Sequence, residues 1–389
     1  MKIKYGMLLL LVISSTLISQ LSADGELIFP LQDQHVHGSS IVELSNGDFL
    51  ACWFQGSGER KANDVVINGA RLKKGEDKWS DVFLMADTPD QPDCNPVLFL
   101  NKQKKLFLVW VVVQANEWET SLLKFRTSID YLNEGPPEWE WQDIILLKPG
   151  EEFVNEIESK FRKNKGREMA WATHAPLYEK MIVDAAKDPK KRETGWMTRI
   201  HPLIQDDGKI LLPLYSDGFN ISILAISDDD GTNWYESLPI VGKGNIQPSL
   251  IQKEDGTVIA FMRDSGDEPG RIMLAESKDD GNSWSFANDS DIPNPGASIE
   301  VIKLISGNWL LVYNDVEDGR YRLAAALSDD EGLTWKWIKH LEQSKGESFH
   351  YPSVIQSYDG QIHLTYSYFL KGERKSIIHI SFDEDWIQK

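Results

Sequence analysis

The fold is decided by the stretch Ser227-Asp228-Asp229-Asp230-Gly231-Thr232-Asn233-Trp234, because the same pattern occurs twice more. The later copies are Ser277-Lys278-Asp279-Asp280-Gly281-Asn282-Ser283-Trp284 and Ser328-Asp329-Asp330-Glu331-Gly332-Leu333-Thr334-Trp335. Their shared form is Ser-x-Asp-x-Gly-x-x-Trp. The Ser and Asp side chains can bond to turn backbone, Gly allows positive φ, and Trp packs beneath the next strand. Three such boxes, spaced about 50 residues apart, predict an array of similar units.

A second repeated element is a hairpin of two apolar strands joined by an Asp-Gly turn. Clear copies begin at His201, Gln247 and Tyr351, and looser copies begin near His37, Asn95 and Ser298. Each hairpin is followed by further strand-like sequence, and the strands are apolar on both faces. Six such units predict an all-β fold, a six-bladed β-propeller with Asp-box turns.

One segment, residues 151–193, interrupts the repeat. Residues 151–161 and 178–186 have helical spacing of apolar side chains, which predicts a helical insertion between blades 2 and 3. Edge packing and a lid over a site are both open roles for it. We predict that residues 24–389 form one domain, a single propeller.

The first 23 residues have the form of a secretory signal. Lys2 and Lys4 precede an apolar run at residues 7–18, and Leu21-Ser22-Ala23 is a small-residue cleavage site. No Cys follows the cut, so a lipid anchor is not expected. The mature protein is expected to be secreted or periplasmic.

Charge and cysteine content limit the partners. The net charge is −19, which argues against nucleic acid and anionic membranes, although a local Arg cluster can still hold an anion. Two cysteines, Cys52 and Cys94, are too few for a disulfide framework, and their pairing is left open. We expect a monomer with an acidic oligosaccharide as its partner.

Propeller topology predicts which residues meet. The start of each inner strand lies on the same face as the loop joining the second and third strands, and the Asp boxes lie on the other face. The residues at the starts of the inner strands are His35, His37, Asn95, Arg199, His201, Gln247, Glu300, His350 and Tyr351. The loop residues are Glu59, Arg60, Asp64, Asp217, Arg263, Asp264, Arg271, Asn314, Asp315, Arg320, Arg322 and Arg374. This convergence predicts a functional site at the mouth of the propeller.

The residue types suggest acid–base chemistry on an anion. Arg binds carboxylate or sulfate in a bidentate manner, while His and Tyr can move protons. Glu300 could activate Tyr351 or orient a His. The pair His35 and His37 leaves zinc or calcium as an alternative, but no third ligand is fixed, so we expect no metal and no cofactor.

With these features in place, the chain resembles the sialidase (neuraminidase) superfamily, and more closely the bacterial proteins labelled predicted neuraminidases. The resemblance covers nearly the whole mature chain. It is carried by residues 37–44, 53–56, 93–97, 211–217, 247–250, 262–264 and 349–353. It implies the propeller fold but not one reaction, because a fold of this kind carries many chemistries.

Sialidases resemble one another in an Arg triad that opens with Arg-Ile-Pro in the first blade, a Tyr–Glu nucleophile pair and an Asp acid. The first blade here opens with residues 33–37, Asp-Gln-His-Val-His, and has no such Arg. The nearest match is Arg199-Ile200-His201-Pro202 in blade 3. The resemblance implies Asp64 as the acid, Tyr351 with Glu300 as the nucleophile pair, and Arg263 and Arg271 as part of the clamp.

Three functions follow as hypotheses. The first is β-elimination on a uronic-acid-ended, optionally sulfated oligosaccharide, by a lyase or a dehydratase that leaves an unsaturated uronic acid. In it, His37, His201, His350 and Tyr351 act as acid–base groups, and the substrate is held by Arg199, Arg263, Arg271, Asn95, Gln247 and Asp217. The second is a retaining sialidase-type exo-glycosidase that uses Tyr351, Glu300 and Asp64. The third is a non-catalytic glycan-binding propeller.

Overall fold

Six antiparallel sheets follow one another along the chain, as the repeats predict. The structure is a computed structural model that describes residues 25–164, 175–266, 268–372 and 374–389. The predicted signal segment, residues 1–23, lies outside the described residues. A short strand, β1 (Glu26–Leu27), precedes the first blade.

The first two blades are regular four-stranded sheets in chain order. Blade 1 consists of β2 (His35–Glu43), β3 (Phe49–Gly56), β4 (Val66–Leu72) and β5 (Phe83–Ala86). Blade 2 consists of β6 (Asp93–Leu100), β7 (Leu106–Val113), β8 (Ser121–Ser128) and β9 (Trp141–Ile144).

The predicted helical insertion follows blade 2 and comprises α1 (Glu151–Lys163), α2 (Ala175–Ala186) and α3 (Pro189–Arg192). The buried face of α1 packs on aromatic side chains of the neighbouring blades: Phe153 lies 6.0 Å from Trp196 and Phe161 lies 6.4 Å from Phe286, between ring centroids. Of the two roles left open, these contacts match packing against blades 3 and 4.

Blades 3 and 4 come next. Blade 3 has a broken inner strand and consists of β10 (Met197–Thr198), β11 (Leu203–Ile204), β12 (Ile210–Ser216), β13 (Ile221–Ser227) and β14 (Tyr235–Glu236). Blade 4 consists of β15 (Asn245–Gln252), β16 (Val258–Asp264), β17 (Arg271–Ser277) and β18 (Asn288–Pro293).

The last two blades complete the ring. Blade 5 consists of β19 (Glu300–Lys303), β20 (Trp309–Tyr313), β21 (Arg322–Ser328) and β22 (Trp337–Gln343). Blade 6 consists of β23 (Glu347–Gln356), β24 (Ile362–Leu370) and β25 (Lys375–Phe382), and it is followed by α4 (Glu384–Gln388). Strand β1 pairs antiparallel with β25 and forms the outer strand of blade 6. This blade therefore combines the first described strand with the last three.

Side-chain oxygens at the start of the inner strands tie neighbouring blades together. The backbone N–H of Leu98 donates to Ser40 Oγ at 3.0 Å, and that of Val301 donates to Ser249 Oγ at 2.9 Å. The N–H of Val354 donates to Glu300 Oε2 at 2.7 Å. Buried backbone donors must find acceptors, so these polar residues at the axis have a structural role between blades.

The Asp boxes form the turns between third and fourth strands that the sequence predicts. In the first box, Gly231 has φ +86° and donates its N–H to Ser227 Oγ at 2.9 Å, while Asn233 donates its N–H to Asp229 at 2.8 Å. A left-handed residue with no Cβ is needed here, because an added Cβ would lie 2.6 Å from Phe107. The boxes therefore act as staples, in which side-chain hydrogen bonds hold the turn between the third and fourth strands in place.

The remaining sequence expectations concern cysteines and membranes. Cys52 and Cys94 are both free and buried, and burial raises the pKa of each thiol. Within the described ranges, no helix has the length and apolar character to cross a membrane.

The third box predicts how stability depends on pH. Hydrogen bonds from Thr334 and Ser328 lower the pKa of Asp330 to about 2, below the value of about 3.9 in an unfolded chain. Because the folded pKa is the lower one, Asp330 stabilises the fold fully above about pH 4, and this contribution is lost as the pH falls to about 2. The unfolding free energies of the wild type and Asp330→Asn should therefore converge over that window in denaturant titrations.

A matched charge change is available at Asp291, an exposed residue of β18. Asp291→Asn removes one carboxylate outside the Asp boxes, so it controls for the change in net charge. Parallel curves for the wild type and Asp330→Asn would contradict the stapling role.

Candidate active site

Tyr351 forms the base of the mouth. Strand β23 has a bulge between His350 and Ser353, and Tyr351 within it has φ +58°. Equivalent bulges in β6 and β15 contain Asn95 (φ +50°) and Gln247 (φ +53°), respectively. Left-handed backbone is costly for residues with a Cβ, so its repetition at three blades marks a conformation that the fold maintains. All three residues line one pocket.

Cations surround the Tyr351 hydroxyl. Arg263 Nη1 donates to it at 3.0 Å and Gln247 Nε2 donates at 3.4 Å, while the Arg320 guanidinium lies 5.4 Å from the ring centroid. Burial alone would raise the pKa of Tyr351, but Arg263 and Arg320 more than offset this and lower it. The phenol is therefore prepared to act as an anion.

Neutral imidazoles pack against this tyrosine. The His37 ring lies 4.0 Å from the Tyr351 ring and 4.8 Å from the His350 ring, between centroids. Burial, followed by neighbouring histidines and arginines, holds the pKa of His37 and His350 well below 6.5, and the pKa of His35 falls to about 4. At neutral pH these rings are uncharged, so they lie beside Tyr351 without adding to the positive charge of the arginines.

The pocket above Tyr351 has a volume of about 350 Å³ and a wall with carboxyl groups. Glu59 and Asp217 lie on this wall. Burial raises the pKa of Glu59, and the Asp217 carboxylate adds to that effect against the opposing Arg60. Asn95 donates to the Tyr215 hydroxyl at 3.1 Å beside them. The pocket thus combines an ionisable phenol, a guanidinium and a carboxyl that retains its proton more readily than usual.

Arg199, predicted to bind an anion, is used by the fold instead. Its guanidinium donates to the backbone carbonyls of Ser39 at 3.1 Å, Tyr351 at 2.7 Å and Pro352 at 3.2 Å. The residue is 2% exposed and lies beneath the Tyr351 ring, 5.0 Å from its centroid. The irregular inner strand of blade 3 directs the Arg199 side chain under the bulges of blades 1 and 6. The position of Arg199 before a strand in the sequence does not predict this direction.

Glu300 and His201 also lie elsewhere than predicted. His201 Nδ1 donates to Glu300 Oε1 at 2.7 Å, and His201 Nε2 lies 3.0 Å from the Ile41 carbonyl oxygen. The pair borders a separate cavity of about 580 Å³ that is shared with the first-to-second-strand turns, on the opposite side from the mouth. Glu300 occupies the repeat position of Ser249, which binds the next blade, so its carboxylate points below the bulge and not to the Tyr351 hydroxyl.

Two further candidates are outside the pocket. Asp64 is exposed and accepts hydrogen bonds from Ser57, including one from Ser57 Oγ at 2.8 Å. Arg271 pairs with Glu317 at 2.5 Å. Asp64 thus binds within its own loop, while Arg271, at the start of β17, pairs with the loop between β20 and β21 of blade 5.

Four residues near Tyr351 were not predicted to have a role in the site. Glu59 and Arg320 were placed at the mouth without a role, and Tyr215 and Trp118 were not singled out. Aligning the bulge positions of the blades would have identified Tyr351, Gln247 and Asn95 as one ring. The loop after β7 carries no motif, so only its topological position could have indicated Trp118.

Among the residues that the structure describes, no group of three or more His, Cys, Asp or Glu side chains is arranged to hold a metal ion.

These features define a class: a six-bladed Asp-box propeller with a tyrosine–arginine site on its axis. Residues 47–159 and 187–364 match the BNR repeat-like domain, and the chain belongs to this family. No curated protein sequence matches the chain.

Several solved structures are similar to it. They include the Hadza microbial sialidase Hz136 (14% identity, 90% of this chain and 66% of that one, TM-score 0.64) and a protein of unknown function from Dyadobacter fermentans (15%, 92% and 97%, 0.66). Another is the NanB sialidase from Streptococcus pneumoniae (13%, 93% and 71%, 0.68). The chain spans about two thirds of the length of the Hadza sialidase. At these identities the likeness establishes the fold.

Replacing Arg199 tests its structural role. Arg199→Met leaves three buried carbonyl oxygens without their donor, so the free energy of unfolding should fall by about 1–3 kcal/mol. Arg374→Met, at an exposed position, should change it by less than about 0.5 kcal/mol. Equal stability of the two variants in urea titrations would argue against this role.

The environment of Tyr351 predicts an early phenol ionisation. Absorbance titration of the wild type minus Tyr351→Phe should show one phenolate step below the usual value of about 10. Arg263→Met should move this step to higher pH, because the nearest cation is lost. Arg271→Met, in the same blade but paired with Glu317, should leave it in place. A step that ignores Arg263 would refute the assignment.

Proposed function

We propose that this chain is a carbohydrate-active enzyme that acts on a terminal sugar bearing a carboxylate. The supporting observation is the Tyr351 hydroxyl, which Arg263 contacts at 3.0 Å where both residues line the pocket. Arg263 and Arg320 supply local positive charge in an otherwise acidic protein, and guanidinium groups match carboxylate geometry. A pocket of about 350 Å³ with a buried base suits the end of a glycan.

Hydrolysis is the reaction we place first, in keeping with the structural neighbours named as sialidases. The Tyr351 oxygen forms a bond to the anomeric carbon while the bond to the leaving oxygen breaks, and Glu59 gives its proton to that oxygen. The Glu59 carboxylate then takes a proton from water, whose oxygen replaces Tyr351 on the sugar. The lowered pKa of Tyr351 and the raised pKa of Glu59 favour these starting protonation states.

Elimination is the second candidate, and a specific observation favours it. The Tyr351 hydroxyl receives hydrogen bonds from Gln247 and Arg263, neither of which can act as a carboxylate base. In elimination the phenolate removes the proton on the carbon next to the substrate carboxylate, which an arginine neutralises. A carbon–carbon double bond forms, the carbon–oxygen bond breaks, and Glu59 protonates the leaving oxygen. No water is consumed.

Mass spectrometry in heavy-oxygen water separates the two reactions. We expect the wild type to release an intact terminal sugar from sialyllactose, with one heavy oxygen incorporated. Tyr351→Phe should lower kcat about 100-fold or more, because it removes the reacting oxygen. Tyr358→Phe, at an exposed tyrosine, is the matched control and should retain wild-type activity.

The same assay includes oligosaccharides that end in a uronic acid. An ultraviolet-absorbing, unlabelled product from these would replace hydrolysis with elimination. No reaction in either panel would contradict both and favour a glycan-binding propeller.

A further inference from the structure

Trp118 lines the active-site pocket, and its largely apolar ring contrasts with the polar side chains around it. It belongs to the loop between β7 and β8, residues 114–120, which contains two 3-10 turns, Gln114–Asn116 and Trp118–Thr120. The ring is partly exposed and lines the same pocket as Glu59 and Tyr351. An indole kept at the wall of a polar pocket offers an apolar surface to a ligand.

The backbone that carries Trp118 is strained. Ala115 and Asn116 are consecutive left-handed residues with φ +50° and φ +58°. Residues with a Cβ adopt this conformation at a cost, and two in succession persist only where surrounding contacts impose them.

Contacts on both sides impose it. Asn116 Nδ2 donates to the Arg60 carbonyl oxygen at 2.7 Å and to Asn63 Oδ1 at 3.1 Å, which fixes the loop to blade 1. The backbone N–H of Gly195 donates to the Ser121 carbonyl oxygen at 3.1 Å, directly after the loop, which fixes it to the start of blade 3. The loop is thus held between two neighbouring segments.

A glycine permits the second of these contacts. Gly195 has φ +78°, and an added Cβ would lie 2.7 Å from the Glu119 carbonyl oxygen. On the other side, the Arg60 guanidinium lies over the Trp118 ring, 5.4 Å from its centroid, and so fixes the ring plane. The indole is therefore preorganised before any ligand arrives.

We propose that Trp118 is the platform for the second sugar of the substrate, the one joined through the leaving oxygen. This inference rests on the proposed function. The terminal sugar sits over Tyr351, and Glu59, which protonates the leaving oxygen, shares the wall with Trp118. The group beyond that oxygen is thereby directed towards the indole, on which the C–H face of a pyranose can stack. The substrate class is an oligosaccharide rather than a small glycoside.

Calorimetric binding to catalytically inert Tyr351→Phe tests the proposal with two probe pairs. One pair is sialic acid methyl glycoside and sialyllactose, and the other is methyl glucuronide and a glucuronic-acid-ended trisaccharide. We expect a trisaccharide to bind about tenfold more tightly than its methyl glycoside. A further Trp118→Ala change should abolish this preference, whereas Trp118→Phe should retain part of it.

Gly195→Ala provides a variant that leaves the indole intact. It should displace the loop and weaken the preference for the trisaccharide, with little effect on the methyl glycoside. Thermal unfolding checks that each variant is folded. Equal binding of both members of a pair, unchanged by Trp118→Ala, would overturn the platform and leave the proposed function standing. Failure of all four saccharides to bind would overturn both.

Discussion

Left-handed bulges in the inner strands are the constraint on which the site depends. A propeller brings six inner strands to one axis, where regular strands would present only alternating side chains. The bulges at Asn95, Gln247 and Tyr351 instead turn three side chains, from alternate blades, into the pocket. The strain is offset beneath them by Arg199, whose guanidinium binds the carbonyls of Tyr351 and Pro352. A buried cation that binds backbone carbonyls thus supports the backbone of the site.

The protonation states at the axis follow from this arrangement. Three guanidinium groups, those of Arg199, Arg263 and Arg320, lie around Tyr351, so any additional cation is disfavoured. Burial is the main reason that the pKa values of His37 and His350 are low, and the neighbouring histidines and arginines add to it. Both rings are therefore neutral and pack as polar aromatic side chains beside the phenol. The same charges lower the pKa of Tyr351 against the effect of its burial. The same arginines therefore reinforce the effect of burial on the histidines and oppose it at the tyrosine.

The repeats and turn chemistry allowed the fold to be predicted in detail, down to the helical insertion, because each Asp box and hairpin is a local signal. The site was predictable only to the level of one face of the propeller. Tyr351 and Gln247 do lie at the pocket, but Arg199 and Glu300 lie below it. A shift of one residue across a bulge moves a side chain from the pocket to the region below it. The spacing of residues in the sequence does not show where such a bulge occurs. Trp118 depends on contacts between separate loops, which no local pattern encodes.

The net negative charge of the chain disfavours the anionic substrate that we propose, but this effect is weak over long distances. The net charge of −19 is spread over a protein surface that exceeds the Debye length of about 8 Å at physiological salt, so most of it is screened at the pocket base. Arg263 would contact a bound carboxylate at about hydrogen-bond distance, where salt does not screen their attraction effectively. Under the proposed function, Arg263 attracts the substrate carboxylate, while the Asp217 carboxyl group at the wall disfavours an anion near it. A sugar bound in this way has its charge towards Arg263 and its leaving group towards Glu59, the order that either proposed reaction needs.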